Sequence, residues 1–117
     1  MNNKILGDLG EKIVKKYLQK LGCKIIKTNF LCKQGEIDII ASDQNEIVFI
    51  EVKTRVNKNF GYPIDAVNYY KQTHIKKAAK YFVYKYKIQE TYIRFDIIEV
   101  YAKENKYYIN HIKNVLW

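Results

Sequence analysis

The sequence predicts a mixed α/β domain whose elements run helix, three strands, helix, two strands, with a β-sheet flanked by helices. Two stretches carry apolar residues at three- and four-residue steps with lysines on the other side, the period of an amphipathic helix. Five runs rich in Ile, Val, Phe and Tyr are bounded by polar turn residues, as strands are. The chain has 117 residues, 48% hydrophobic, with only five glycines and one proline. That suits one domain, residues 1–117, with a real core, and excludes a disordered or low-complexity chain.

The first helix spans about Asn3 to Leu21. Leu6, Leu9, Ile13, Val14, Tyr17, Leu18 and Leu21 form its stripe, and Gly22 ends it. Gly7 and Gly10 lower helix propensity, which close packing against the sheet or substrate would explain. Glu11 lies off the stripe, with Lys15 as an i,i+4 partner. Cys23 to Leu31 is a strand. Gly35 to Arg55 (GEIDIIASDQNEIVFIEVKTR) is two apolar strands around an Asp43-Gln44-Asn45-Glu46 turn, and this hairpin occupies the middle of the sheet. The next segment, 55–63, is a polar loop in which Phe60 and Tyr62 either anchor the loop or stack on bases. A second helix runs from about Ile64 to Tyr86, with Val67, Ile75, Ala78, Ala79, Phe82, Val83 and Tyr86 buried. Thr91 to Ala102 and Tyr107 to about Val115 are the last strands, joined by Lys103-Glu104-Asn105-Lys106.

The chemistry sits in the hairpin. If Gln44-Asn45 is its loop, paired residue numbers sum to 89, so Asp38 faces Glu51 and Glu36 faces Lys53. Carboxylates opposite each other on adjacent strands repel, and the apolar setting makes unpaired charge costly. A hard divalent cation is the simplest neutraliser, because Mg²⁺ takes one or two carboxylates plus water and phosphate oxygens. Lys53 projects beside Glu51 by strand alternation. Two acids and an amine converging on one face suit phosphodiester cleavage. The plainer alternative is a solvated strand end with surface ion pairs, which contribute little.

Asp38, a gap of twelve residues, then Glu51-Val52-Lys53 resembles the Asp…(Asp/Glu)-x-Lys pattern of the restriction-endonuclease-like nuclease superfamily. GEIDIIA, VFIEVKTR, FGYP and RFD at their spacing resemble the YraN-like family of small bacterial proteins, from Gly7 to about the C-terminus. That resemblance implies a restriction-endonuclease-like core and a nuclease akin to archaeal Holliday-junction resolvases. It implies Mg²⁺ or Mn²⁺ on Asp38 and Glu51, with the Val52 carbonyl as a further ligand and Glu11 assisting from the first helix. It makes Lys53 the residue that orients the attacking water or stabilises the phosphate, with Glu36 and Gln72 in supporting places around it. Arg94 and Asp96 share a face by alternation and either fix the sheet edges or support the site from outside. Leu31 stands where relatives often carry a basic residue. His111 matches a family histidine without visible catalytic geometry. Junction resolution needs two active sites, so it would require a homodimer.

Formal net charge is +9, which favours polyanionic partners, nucleic acid before an anionic membrane surface. Between Asp65 and Glu90 there is no acid, but Lys71, Lys76, Lys77, Lys80, Lys85 and Lys87 occur there. With Arg55, the lysines at 71, 76, 77 and 80 are the candidate phosphate contacts. His74 is expected on the helix surface. Several of the eleven tyrosines lie among lysines, a pattern that suits base stacking but that amphipathic elements also explain. No apolar run is long enough to span a membrane, and the N-terminus lacks a signal-peptide core. A cytoplasmic protein with free, buried Cys23 and Cys32 thiols is expected. Zinc motifs, Gly-rich phosphate loops, internal repeats and a Ser/His/Asp order are absent from the sequence. The alternative to a nuclease is a nucleic-acid-binding module without turnover, or a subunit active only with a partner protein.

Overall fold

The computed structural model describes residues 3–55 and 68–115. α1 spans Asn3–Lys20, β1 Lys24–Cys32, β2 Gly35–Asp43, β3 Glu46–Arg55, α2 Tyr69–Lys85, β4 Tyr92–Lys103 and β5 Lys106–Ile112. This is the expected order, and it builds one five-stranded sheet in sequence order β1-β2-β3-β4-β5. Neighbours pair antiparallel except β3 and β4, which are parallel. A parallel pair needs a crossover, and α2 lies within it.

Alternation along the strands explains why there is a helix on each face. Val48 and Ile50 of β3, with Ile98 and Val100 of β4, pack with Val14 and Leu18 of α1. Phe49 and Ile97 pack on the other side with Ile75, Ala78, Ala79 and Phe82 of α2. The Phe82 ring stands edge-on to Phe30 and Phe49, 5.3 and 5.8 Å between centroids.

The hairpin has the expected register. Ile39 pairs Ile50, and Asp43 pairs Glu46 across a Gln44-Asn45 loop in which Gln44 is left-handed (φ 55°). α1 closes as the apolar pattern predicts: Cys23 N–H reaches Leu18 O (2.9 Å), Gly22 N–H reaches Gln19 O (3.0 Å), and Gly22 has φ 91°. This double closure puts a left-handed residue after the helix, which glycine adopts without a Cβ clash.

Some expectations need correction. Leu21 is 54% exposed, because it falls past the last helical turn. α2 starts at Tyr69 rather than near Ile64, because Asn68 is extended and its side chain accepts the Lys71 N–H (2.9 Å), an N-cap. Tyr86, the C-cap, is exposed rather than buried. The 56–63 loop with Phe60 and Tyr62, the stretch 64–67 and the tail residues 116–117 lie outside the described residues. Val115 packs in the α2-side core, its N–H donating to Phe95 O at 2.7 Å. Cys23 and Cys32 are free thiols as expected, but only Cys23 is buried; Cys32, at the end of β1, is half-buried. No helix among the described residues is long and apolar enough to cross a membrane.

The two helix glycines differ. A Cβ on Gly10 would lie 1.9 Å from Thr54 Oγ1, whereas one on Gly7 would meet nothing within 4 Å. Gly10→Ala should therefore destabilise by about 1–3 kcal/mol through overpacking, although alanine is the better helix former. Gly7→Ala should stabilise by up to about 1 kcal/mol. Thermal melts of both variants read the contrast; shifts of the same sign would contradict the α1–β3 contact.

Candidate active site

The hairpin ladder stops at the pair Ile39–Ile50, and the chemistry begins one residue beyond it. There the Val52 N–H donates to Asp38 Oδ2 (2.9 Å), so a side chain takes up a backbone donor as the strands part. The Asp38 carboxyl lies against Glu51, which is 5% exposed. Lys53 Nζ is 3.5 Å from Glu51 Oε1, and Lys71 from α2 contacts the same oxygen. An open cleft of about 280 Å³ joins these groups to α1 and is lined by Gly7, Glu11, Asp38, Glu51, Lys53 and Lys71, among others.

Crowding of acids shows in their proton affinities. Burial first, then the Glu51 charge, push the Asp38 carboxyl up to about 8, against the Val52 amide, which favours the ionised form. Glu11 is also raised, chiefly by burial, with Asp8, Glu36 and Glu51 adding to it. The two lysines diverge. Burial and the adjacent Lys71 lower Lys53, whereas for Lys71 the attraction of Glu51 overcomes burial and raises it. Of the two amines, Lys53 gives up its proton more readily.

Glu11 reaches the site, but its side-chain partner is Asn29 rather than Lys15. Asn29 lies within β1 yet has a left-handed backbone (φ 51°), a conformation asparagine tolerates better than most residues. An asparagine inside an apolar strand pattern was the sequence signal for this contact. Lys71 was expected to meet phosphate; its partner here is Glu51. Neither spacing nor pattern joins α2 to β3, so that contact needed the tertiary structure.

Other expected site residues lie elsewhere. Arg55 is mostly buried, and its Nε donates to Glu99, so it ties β3 to β4 instead of offering a free cation. Arg94 and Asp96 share a face as expected, and of the two expected roles they take the one that fixes the sheet. Arg94 donates to Asp96, Asp43 (3.1 Å) and Glu46 (3.2 Å) around the hairpin turn. Asp96 aligns with Ile50 and therefore points to the α1 face, opposite Glu51. It is fully buried and meets His111 Nε2 at 2.7 Å, while His111 Nδ1 meets the Tyr17 hydroxyl at 2.9 Å. Burial opposes ionisation of Asp96, but hydrogen bonds from His111, Arg94 and the Asn114 amide hold its carboxyl below the usual range. This network clamps α1, β4 and the C-terminal segment together. Glu36 is exposed and pairs with Leu31 on the β1 side, not with Lys53 among the described pairs. Gln72 is half-buried one residue beyond Lys71, and Lys76, Lys77 and Lys80 are exposed on α2. His74 is half-buried rather than on the surface, its ring 4.2 Å from that of Tyr70.

The donor set suits a hard cation through Asp38 and Glu51, two adjoining carboxylates that line one open cleft. Among the described residues no group of three or more His, Cys, Asp or Glu is arranged around one metal position. Glu11 lines the same cleft as Asp38 and Glu51, and its charge adds to the crowding of Asp38.

A profile described as the uncharacterised protein family UPF0102 matches residues 10–100. A UPF0102 protein of Clostridioides difficile strain 630 is 49% identical over 114 residues, covering 97% of this chain and 98% of that protein. One from Caldicellulosiruptor saccharolyticus is 47% identical over 116 residues, covering 97% and 98%. Among solved structures, the crystal structure of SSO0001 matches with TM-score 0.42 and 19% identity, over 99% of this chain and 54% of that one. Pyrococcus furiosus SfsA in complex with Ca²⁺ matches with TM-score 0.39 and 16% identity, over 96% and 64%. The chain thus spans less than two thirds of either, and both likenesses are too loose to bear on function.

Asp38 carries a testable consequence. A carboxyl whose pKa rises from 3.8 to about 8 on folding favours the fold below pH 4, and that advantage is lost as pH climbs to about 8. In metal-free buffer Asp38→Asn should leave the melting temperature unchanged at pH 4. At pH 8.5 it should stabilise by about 1–3 kcal/mol. A lower melting temperature for the variant at pH 8.5 would contradict the crowded-acid picture.

Proposed function

This chain belongs to the UPF0102 family, the YraN-like family its motifs resemble, and we propose that it is a Mg²⁺- or Mn²⁺-dependent nuclease. It would hydrolyse phosphodiester bonds in DNA, with branched or otherwise structured DNA the first substrate class to try. The observation that carries this reading is the meeting of Asp38 and Glu51 beyond the end of the hairpin ladder, with Lys53 and Lys71 on Glu51, in an open cleft. The Asp…Glu-x-Lys resemblance supports it independently of the packing.

Asp38 and Glu51 would hold the ion, with the Val52 carbonyl available beside them. When bound, the ion supplies Lewis-acid polarisation of the phosphate and of a coordinated water. The Val52 N–H fixes the direction of the Asp38 carboxylate. Lys53, lowered in proton affinity by burial and by Lys71, is suited to take a proton from the attacking water or to orient it. Lys71 keeps its proton through Glu51 and can swing its charge to a phosphate that enters the cleft. The exposed lysines at 76, 77 and 80 of α2 offer further backbone contacts, with strong salt dependence.

One observation favours the reading without turnover. Both lysines already balance Glu51, so the acids are partly compensated with no ion. In that reading the same basic surface binds nucleic acid, unaffected by chelation and without products. Cleavage separates the two: Asp38→Ala and Lys53→Ala should each lower Mn²⁺-dependent cleavage of a branched DNA panel at least a hundredfold. Affinity for the same DNA should change less than threefold. A variant that cuts at the wild-type rate would remove that residue from the site.

A further inference from the structure

We propose that the groove between α1 and β1 is a second binding track for the phosphate backbone, feeding the acid centre from the side opposite α2. This deepens the nuclease reading and rests on it. The track is a chain of clefts that share lining residues. The outermost, about 470 Å³, is lined by Lys12, Lys15, Lys16 and Gln19 from α1 and by Ile26 and Thr28 of β1, among others. The next, about 300 Å³, shares Lys12, Lys15 and Thr28 and adds Asp8, Glu11 and Asn29. Glu11 is in turn shared with the cleft that holds Asp38, Glu51 and Lys53.

Spacing explains why the lysines face one way. Residues 12, 15, 16 and 19 follow the i, i+3, i+4, i+7 rule of a single helix face. Like charges at i,i+4 destabilise a helix, so Lys12 above Lys16 is a cost that the fold alone does not require. Acids that might relieve it are engaged elsewhere. Asp8 pairs with Lys4 at 3.0 Å, and Glu11 turns to Asn29. Among the described residues, Lys12, Lys15 and Lys16 make no ion pair. The opposite wall carries Ile25, Ile26, Lys27 and Thr28, and then Asn29, which bonds Glu11; the Thr28 hydroxyl can donate to a phosphate oxygen. Three cations on one wall, a further lysine and a hydroxyl among apolar residues on the other, and an acid centre at one end fit a phosphodiester strand whose reacting phosphate lies at the acids. A flat anionic surface such as a membrane would have no use for that last connection.

Binding of a fluorescent DNA duplex across a salt series tests this, with full-length wild type, Lys12→Gln/Lys15→Gln/Lys16→Gln and the α2 control Lys76→Gln/Lys77→Gln/Lys80→Gln. The α1 variant should bind at least tenfold more weakly at 0.1 M salt, and its plot of log K against log salt should flatten by about 2 to 3. Its Mn²⁺ affinity should equal that of wild type. The corresponding Lys→Arg triple variant should keep the wild-type slope. If the glutamine triple melts early, Lys15→Gln and Lys16→Gln alone should each flatten the slope by about 1. A wild-type slope in the α1 variant, with a flattened slope in the α2 control, would overturn the groove and leave the nuclease reading standing. Failure of wild type to bind duplex or branched DNA, with or without Mn²⁺, would overturn both.

Discussion

Two carboxylates, Asp38 and Glu51, are brought together where β2 and β3 part, and the surroundings of the site answer that fact. Neither acid is well solvated, and like charges this close cannot both ionise without compensation. The chain supplies compensation from three directions. The Val52 N–H comes from the same hairpin, Lys53 from the next outward position on β3, and Lys71 from the first turn of α2. Even so, the Asp38 carboxyl stays near 8. The site is therefore short of positive charge on the Asp38 side and supplied on the Glu51 side, an asymmetry that a divalent cation beside Asp38 would resolve.

The fold turns on keeping that arrangement rigid. The sheet is sandwiched, so the hairpin cannot slip by one residue without sending Phe49 and Ile50 to the wrong cores. Gly10 lets α1 approach Thr54 closely enough to bring Glu11 and the α1 lysines beside the strand ends. Asn68 starts α2 where Lys71 falls opposite Glu51. Away from the cleft, Arg94 gathers Asp96, Asp43 and Glu46, while Tyr17, His111 and Asp96 lock α1 to the far strands. Buried polar groups that are fully paired in this way rigidify a structure, and here they hold the sheet that carries the two acids.

Much of this was legible in the sequence, for reasons of period and register. The apolar steps of three and four located both helices, and one hairpin turn fixed the register that juxtaposes Asp38 with Glu51. Lys53 followed from strand alternation. What was not legible depends on packing between elements distant in sequence. Arg55 reads as an exposed cation, but β4 aligns beside β3 and gives it Glu99. Arg94 and Asp96 share a face, yet only the parallel register shows that the face is the wrong one for the acids. Lys12, Lys15 and Lys16 read as the solvated side of α1 until β1 forms the other wall. The start of α2 depended on a single capping side chain, which hydrophobic period does not reveal.

The central claim is that Asp38 and Glu51 form a cation site, and Mn²⁺ titration calorimetry at pH 7 tests it most directly. Wild type and Asp38→Asn would be run side by side in two buffers of different ionisation enthalpy. Because Asp38 holds its proton up to about pH 8, wild type should bind one ion and release about one proton as it does so. Asp38→Asn should lose that binding. No binding by wild type even with DNA present, or equal binding by both proteins, would contradict the account.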